Sequence, residues 1–498
     1  MTTGVLISTM KAGKSTAMRK LAIFAATSLA LTACQMVGGG VPSRVDPVAV
    51  TSQRLPNGLE EAIGASENPR VVAEYGGVYA DADLEAVLAD VVARVVAASD
   101  VPSRRYRVTI LNSPVANAFA LPGGYLYVTR GLLALADDNS ELAAVLSHEI
   151  AHVIANHALE RAEVVEQADI VARVASDVLS DPIARDAATV SSQMTLAKFS
   201  RNQEVAADRI GIMIAGRAGY DPFAASRFLK KLERYAAFRS AIGADNDAAN
   251  FLASHPAALE RRDMAIRTAR QFGAPGIGEI GRDAYLDSLD GMVYGDDPSE
   301  GFVRGRQFLH PRLSISFTVP TGYQLENTRE AVLAAAGRNT AMRFDGVSVG
   351  ATVSPADYLA SGWINGLEQS SIRTITTGGG LPAATASAAA GGWVFKIGAI
   401  RVGPTLYRLI FADRRGSGAL EAALNQTLAT FRRLDPAEVA RLRPLRIDIV
   451  TVKNSTTVAS LAARMRGTER RLELFRLLNG LDTDSSLVAG RRVKIVID

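Results

Sequence analysis

Apolar residues recur at three- and four-residue spacing in three stretches, Asp83 to Ala98, Asn139 to Arg161 and Asn202 to Ala218. That period keeps them on one face of an α-helix, so a helical block is predicted over about 60–270. In the second stretch Leu142, Val145, Leu146, Val153 and Ile154 form the stripe. Asp138 can cap this helix, with Glu141 reaching back three residues later. Between the first two stretches, Tyr106-Arg107-Val108-Thr109-Ile110 alternates as a strand. A turn-rich run, Asn117-Ala118-Phe119-Ala120-Leu121-Pro122-Gly123-Gly124, leads to a second strand, Tyr125-Leu126-Tyr127-Val128.

The pattern changes after residue 270. Residues 271–300 are rich in Gly and Asp and read as a linker. Leu313, Ile315, Phe317 and Val319 then alternate with Ser314, Ser316 and Thr318, the mark of a half-buried strand. Trp393 to Ile397 and Tyr407 to Phe411 read as further strands, and Ala419 to Phe431 as a helix. Gly378 to Gly392 is low in complexity and is predicted to be a mobile loop. Residues 301–436 thus read as a small α+β domain without a catalytic constellation. The end of the chain, 447–498, reads strand, helix, helix, strand: Val450 to Val452, Thr457 to Met465, Arg470 to Leu478 and Arg492 to Val496.

Composition alters this picture mainly at the N-terminus. The chain has 498 residues with a formal charge of +4. Lys11, Lys14, Arg19 and Lys20 account for that excess, and without them 51 basic residues face 51 acidic ones. No basic stripe is left to argue for nucleic acid. The apolar run Leu21 to Ala33 is shorter than the about 20 residues of a spanning helix and suits an export signal, 1–33. Its end, Leu31-Thr32-Ala33-Cys34, resembles the bacterial lipobox, which implies lipidation of Cys34. Cys34 is also the one cysteine of the chain, so no internal disulfide can form. The alternative is an ordinary cleaved signal with an incidental cysteine. Gln35 after the cysteine implies, by the same resemblance, the outer membrane. Gly38-Gly39-Gly40, Pro42 and Pro47 make 34–57 a tether.

Chemistry concentrates in the histidines, of which there are only five. His148 and His152 are four apart, so a helix sets both imidazoles on one face, as two ligands of a tetrahedral zinc require. Glu149 lies about 100° round the helix, where a carboxylate can take a proton from water. His157, nine residues after His148, falls on roughly the opposite side of a continuing helix. No glycine in Val153 to Asn156 breaks that helix, so His157 reads as a buried neighbour of the ligands. Glu204 and Asp208 are also spaced i,i+4. On spacing alone they are either a solvated acidic face, or a third zinc ligand with an acceptor for a ligating histidine's free N–H.

The runs His148-Glu149-Ile150-Ala151-His152 and Glu204-Val205-Ala206-Ala207-Asp208, with Asn117 to Gly124 upstream, occur together in the order found in one peptidase family. In these residues the chain resembles the gluzincin family of the CAAX prenyl endopeptidases, HtpX and BepA. The resemblance covers about 70–270 and implies a zinc metallopeptidase domain over 58–270. It implies one Zn2+ per chain on His148, His152 and Glu204, Glu149 as base, and Asp208 behind the ligands. Ser254-His255-Pro256 with Arg261 is similar to a further family feature. His255 and Arg261 then either stabilise the oxyanion or, for His255, fill the fourth zinc position at rest. Leu478-Asn479-Gly480-Leu481 and Ala489-Gly490 make 447–498 resemble a LysM domain, which brings in peptidoglycan. Asn454-Ser455-Thr456 stands where that family has Pro-Gly-Asp.

The expected class is therefore α+β: a mainly helical zincin-type peptidase domain, a small α+β domain and a βααβ LysM-like domain. The expected function is a lipid-anchored zinc metalloendopeptidase on the periplasmic side of the outer membrane. It would act on unfolded or misassembled envelope proteins in quality control or assembly, with the strand near Tyr125 to Thr129 pairing the substrate backbone. The alternatives are an assembly lipoprotein with secondary protease activity and a peptidase directed at peptidoglycan.

Overall fold

The computed structural model describes residues 57–157, 199–241, 251, 255 and 259–498, apart from 329–330, 338, 365, 415–418 and 469. The expected signal segment, Cys34 and nearly all of the tether lie outside these residues.

Helices α1 (Asn57–Glu74) and α2 (Ala82–Ala97) precede a small sheet of β1 (Arg107–Leu111), β2 (Ala118–Leu121) and β3 (Tyr125–Thr129). Its order is β1-β3-β2, with β3 parallel to β1 and antiparallel to β2. The turn-rich run before Pro122 is thus itself a strand. Both edges of β3 are taken, so β3 cannot pair with a substrate as expected; β1 and β2 are the outer strands, and β1 is bridged by Val78 at Leu111. Helix α3 (Arg130–Leu135) follows directly, capped by the Thr129 hydroxyl, which accepts from Leu132 N–H at 3.2 Å.

Helix α4 (Asn139–Ile154) starts where the sequence predicts. The Asp138 carboxylate accepts from Glu141 N–H at 2.8 Å, and Glu141 accepts from Asp137 N–H at 2.9 Å. Every residue from Asn139 to His152 is buried, so α4 is the central rod of the helical block. Helix α5 (Arg201–Arg217) crosses it, followed by α6 (Ala224–Ala241) and α7 (Leu259–Ala269). Ser200 and Gln203 close a capping box at the start of α5.

Residues 271–300 are more than the expected linker. They hold α8 (Arg282–Leu289) and β4 (Val293–Tyr294), and Tyr285, Leu286, Leu289 and Met292 are buried in the same core as α2 and α4. The i, i+1, i+4, i+7 spacing of these four is a helical stripe hidden among Gly and Asp.

The middle region is mostly antiparallel sheet. Strands β5 (Phe302–Arg304), β6 (Gln307–His310), β7 (Ile315–Thr318), β8 (Gln324–Asn327), β9 (Val332–Ala336) and β10 (Thr340–Ser348) lead to the short α9 (Pro355–Ala360). Strands β11 (Arg373–Thr376), β12 (Pro382–Ala390), β13 (Trp393–Val402) and β14 (Thr405–Asp413) follow, then α10 (Ala419–Thr430) and β15 (Arg432–Arg433). One sheet runs β11-β12-β13-β14-β10-β9-β8 and the other β15-β7-β6-β5. Phe308, Phe317, Phe344, Phe411 and Phe431 fill the core that α10 closes. The stretch expected as a loop, 378–392, contains β12, an inner strand of the larger sheet. Ala384, Ala386 and Ala388 are buried at period two, and their small side chains let α9 pack closely on the sheet.

After α11 (Pro436–Arg441) the chain ends in β16 (Leu445–Thr451), α12 (Val458–Arg464), α13 (Arg471–Leu478) and β17 (Arg492–Ile497). This is the predicted βααβ order. β16 pairs antiparallel with β17 and also with β4, so the last unit is joined to the helical block by main-chain hydrogen bonds. Leu445, Ile447, Phe475, Val493 and Ile495 belong to one continuous core with Leu84, Leu133 and Leu146. Among the described residues, no helix is long and apolar enough to cross a membrane.

Candidate metal centre

One turn of α4 separates His148 from His152, and their Nε2 atoms approach to 3.0 Å. Glu204, in the first turn of α5, points at both: its Oε1 is 3.4 Å from His152 Nε2 and its Oε2 3.6 Å from His148 Nε2. His255 closes the group, with Nδ1 2.9 Å from Glu204 Oε1 and 3.2 Å from His148 Nε2. One ligand atom from each of the four lies within 4.8 Å of all the others, and all four residues are buried. This close crossing of α4 and α5 needs Gly211, where a Cβ would come within 2.9 Å of His148 N. A glycine inside a helix costs about 1 kcal/mol against alanine, so its presence three residues after Asp208 was the available signal for a close helix approach.

The cluster fits a metal better than it fits itself. Two Nε2 atoms facing each other at 3.0 Å have room for one proton between them. Glu149 Oε1 and His255 Nε2 stand 3.6 Å apart, buried, and neither makes a hydrogen bond among the described residues. Unpaired buried polar atoms are rare without a reason. Three imidazoles and a carboxylate suit Zn2+.

Further residues hold these four in place. Asp208 Oδ1 lies 2.9 Å from His148 Nδ1, which turns His148 Nε2 toward the centre. Arg261 donates to Asp208 from Nε at 2.7 Å and from Nη2 at 2.8 Å, and its Nη1 is 2.7 Å from Glu204 Oε2. The expectation that Arg261 faces a substrate oxyanion is therefore corrected: its guanidinium is turned inward onto the two carboxylates. His157 also departs from expectation in direction. Helix α4 ends at Ile154, and Asn156 takes a φ of 55°, so the chain bends back. His157 Nδ1 then meets His152 Nδ1 at 3.0 Å instead of pointing to the far side. Two aromatic residues were missed in the sequence. Phe251 stacks on His255 at 4.5 Å between centroids, and Phe199 lies 4.1 Å from the His152 ring.

Electrostatics follow from burial and these partners. Burial pushes His152 down to about 2, which keeps it neutral, the form that binds metal. Burial opposes the ionised form of Glu204, but His152 and His255 on its oxygens outweigh it and hold the carboxyl well below the usual range. Burial likewise opposes ionised Asp208, and Arg261 and His148 outweigh it. Glu149 is raised above the usual carboxylate range, chiefly by burial.

Comparison with known proteins agrees with this geometry. Residues 82–268, which include every residue of the cluster, match Peptidase family M48. The mitochondrial metalloendopeptidase OMA1 of Schizosaccharomyces pombe is 28% identical over 242 residues, 45% of this chain and 67% of that one. Human metalloendopeptidase OMA1 is 30% identical over 33% of this chain and 32% of its own. The beta-barrel assembly-enhancing protease of Escherichia coli K12 is 32% identical over 36% of this chain and 37% of its own. The chain thus spans about two thirds of the yeast relative and only about a third of the other two. Over residues 82–268 the chain is therefore similar to the metallopeptidases of family M48, and the buried cluster lies within that stretch.

Proposed function

We propose that the protein is a zinc-dependent endopeptidase in which His148, His152 and Glu204 hold the ion and Glu149 is the general base. The observation that carries this reading is the convergence of His148, His152, Glu204 and His255 within 4.8 Å beside a buried Glu149 that makes no hydrogen bond through Oε1 among the described residues. Zinc bound there supplies Lewis acidity toward a peptide carbonyl and the attacking water. Glu149 takes the proton from that water and delivers it to the leaving nitrogen. Asp208 and His157 fix the rings of His148 and His152, and Arg261 fixes Asp208 and Glu204. His255 is the residue with two candidate roles. Its Nδ1 is directed at Glu204 and His148. That favours the fourth ligand position at rest over an oxyanion donor. An extended substrate would add to the outer edge of β2, the strand that pairs only with β3 among the described residues.

On this reading the substrates are unfolded or misassembled envelope proteins, met from an outer-membrane lipid anchor at Cys34. The Leu31 to Cys34 run and the name of the Escherichia coli relative support it. The LysM resemblance adds peptidoglycan as a second partner, which a pull-down of the full chain with purified sacculi tests. The decisive experiment is metal analysis with cleavage of an unfolded outer-membrane β-barrel protein. About one zinc per chain is expected, and Glu149→Gln should keep it while losing cleavage. A fully active Glu149→Gln ends the mechanism, and an active metal-free protein ends the site.

A further inference from the structure

We infer that the C-terminal βααβ unit braces the joint between α3 and α4, and that Lys494 in β17 is a positioning residue for the metal centre. The inference rests on the metal-centre reading above. Lys494 is completely buried. Its Nζ donates to the carbonyls of Ala134 at 2.9 Å and Ala136 at 2.6 Å, at the C-terminus of α3, where a cation is favoured. It also lies 3.2 Å from Asp137 Oδ1. Asp137 and Asp138 are the only residues between Ala136, which ends α3, and the start of α4. One ammonium group therefore ties both helices at the point where they meet.

Other parts of the molecule converge on the same point. Lys231 of α6 lies 2.5 Å from Asp137 Oδ2 and 2.8 Å from Glu141 Oε2. Arg282 of α8 donates to the Asp137 carbonyl at 3.0 Å and to the Arg492 carbonyl at 3.2 Å. The Asn479 side chain accepts from Lys494 N–H at 2.7 Å and donates to its carbonyl at 2.8 Å, which fixes Lys494 along β17. Gly480, at φ 60°, passes so near that a Cβ would come within 2.5 Å of Asp137 Oδ2. The Asn479-Gly480 turn thus packs against the peptidase block, with Asn479 buried and Gly480 beside Asp137 at the surface.

The joint matters because of leverage. Helix α3 continues directly from β3, so the joint sets the angle between the small sheet and α4. His148 lies ten residues beyond Asp138, about 15 Å along the rod. A tilt of about 4° at the joint moves its ring by about 1 Å, and a misplacement of that size can cost about 100-fold in rate. The C-terminal unit is then part of the peptidase, not a detachable binding module.

The test uses the full chain loaded with Co2+, whose visible absorption reports ligand geometry, together with steady-state cleavage. Lys494→Met should shift the cobalt spectrum and lower kcat by about 10-fold or more with KM within about 2-fold. Leu461→Ala thins the same core away from the joint and should lower Tm but leave the spectrum and kcat as in wild type. An unchanged spectrum and kcat in folded Lys494→Met overturns the inference. If Lys494→Met does not fold, Gly480→Ala presses on Asp137 with Lys494 in place, and an unshifted spectrum there overturns it equally. A wild type that binds no cobalt removes the metal-centre reading and this inference with it; a wild type that binds cobalt beside unshifted variants removes this inference alone.

Discussion

Helix α4 carries a buried polar cluster at each end, and the two are built on opposite rules. At its N-terminus, Asp137 and Glu141 meet Lys231 and Lys494, and each charge has an opposite one within 3.2 Å. Toward its C-terminus, His148, His152, Glu204 and His255 turn their side-chain N and O atoms toward one another, while Glu149 Oε1 and His255 Nε2 make no hydrogen bond among the described residues. Burying charge is tolerated when it is paired. The first cluster is matched charge for charge by protein groups, with Asp137 Oδ1 held by ion pairs alone, to Lys494 and Arg282, and we read it as scaffold. The second gathers ligand atoms and leaves two polar atoms there without a hydrogen bond among the described residues, the arrangement a cation site has. The contrast separates structural from functional burial without reference to any relative.

Glu149→Gln should sharpen the contrast most. Loss of a general base lowers turnover by about 10²- to 10⁴-fold, about 3–5 kcal/mol in the barrier. Metal content should stay at the wild-type level, because Glu149 is not one of the four converging residues. Single-turnover cleavage with metal analysis checks this, and a variant that lost its metal would make Glu149 a ligand. Lys231→Met tests the other end. It leaves two buried carboxylates to one ammonium group, and removing one partner of a buried pair costs about 3–5 kcal/mol of stability. Thermal unfolding should show the loss, and excess zinc should not restore it; rescue by zinc would mean this cluster also accepts a cation. Asp208→Asn has a smaller effect. It weakens the acceptor at His148 Nδ1 and should lower metal affinity by about 10- to 100-fold, read by competition with a chelator.

The two clusters also differ in how far the chain disclosed them. The i,i+4 spacing of His148 with His152, and of Glu204 with Asp208, is local, so both pairs were legible once helices were predicted, though Glu204 was set apart from a solvated acidic face only by the family resemblance. What depended on where a helix stops was not. Nothing around Asn156 announces that α4 ends there, so His157 was placed on the far side of the helix, whereas it lies against His152. Strand position in a sheet was likewise hidden, and β3 proved central rather than at an edge. Alanine hides periodicity: Ala384, Ala386 and Ala388 alternate with Thr385 and Ser387, but small side chains make a weak hydrophobic signal. The joint cluster was least legible. Lys494 sits in Arg492-Val493-Lys494-Ile495-Val496, where period-two alternation would turn it to solvent. It is buried because both faces of β17 are covered, and that follows only from long-range packing.

The smallest predicted effect divides Asp138 from its neighbour Asp137. Burial first, and then the Glu141 carboxylate, push Asp138 up to about 6, against the pull of Arg227 at 3.5 Å. The folded state therefore holds this proton more tightly than the unfolded one between pH about 4 and 6. Stability from Asp138 falls as pH rises through that window and stays reduced above it. Two pKa units correspond to at most about 3 kcal/mol, and Arg227 left without this partner returns part of the cost. Asn caps a helix about as well as Asp. Asp138→Asn should then stabilise the protein by about 1 kcal/mol at pH 7 and by nothing at pH 3.5. For Asp137, burial is outweighed by Lys231 and Lys494, and its pKa is lowered. Its contribution is present above the unfolded-state pKa and lost as pH falls through the folded one, so Asp137→Asn should destabilise at pH 7. Thermal unfolding of both variants at the two pH values decides the matter. Equal signs for the two substitutions at pH 7 would show that the joint shares one charge among its carboxylates, and that its pairing is not the residue-by-residue match the geometry describes.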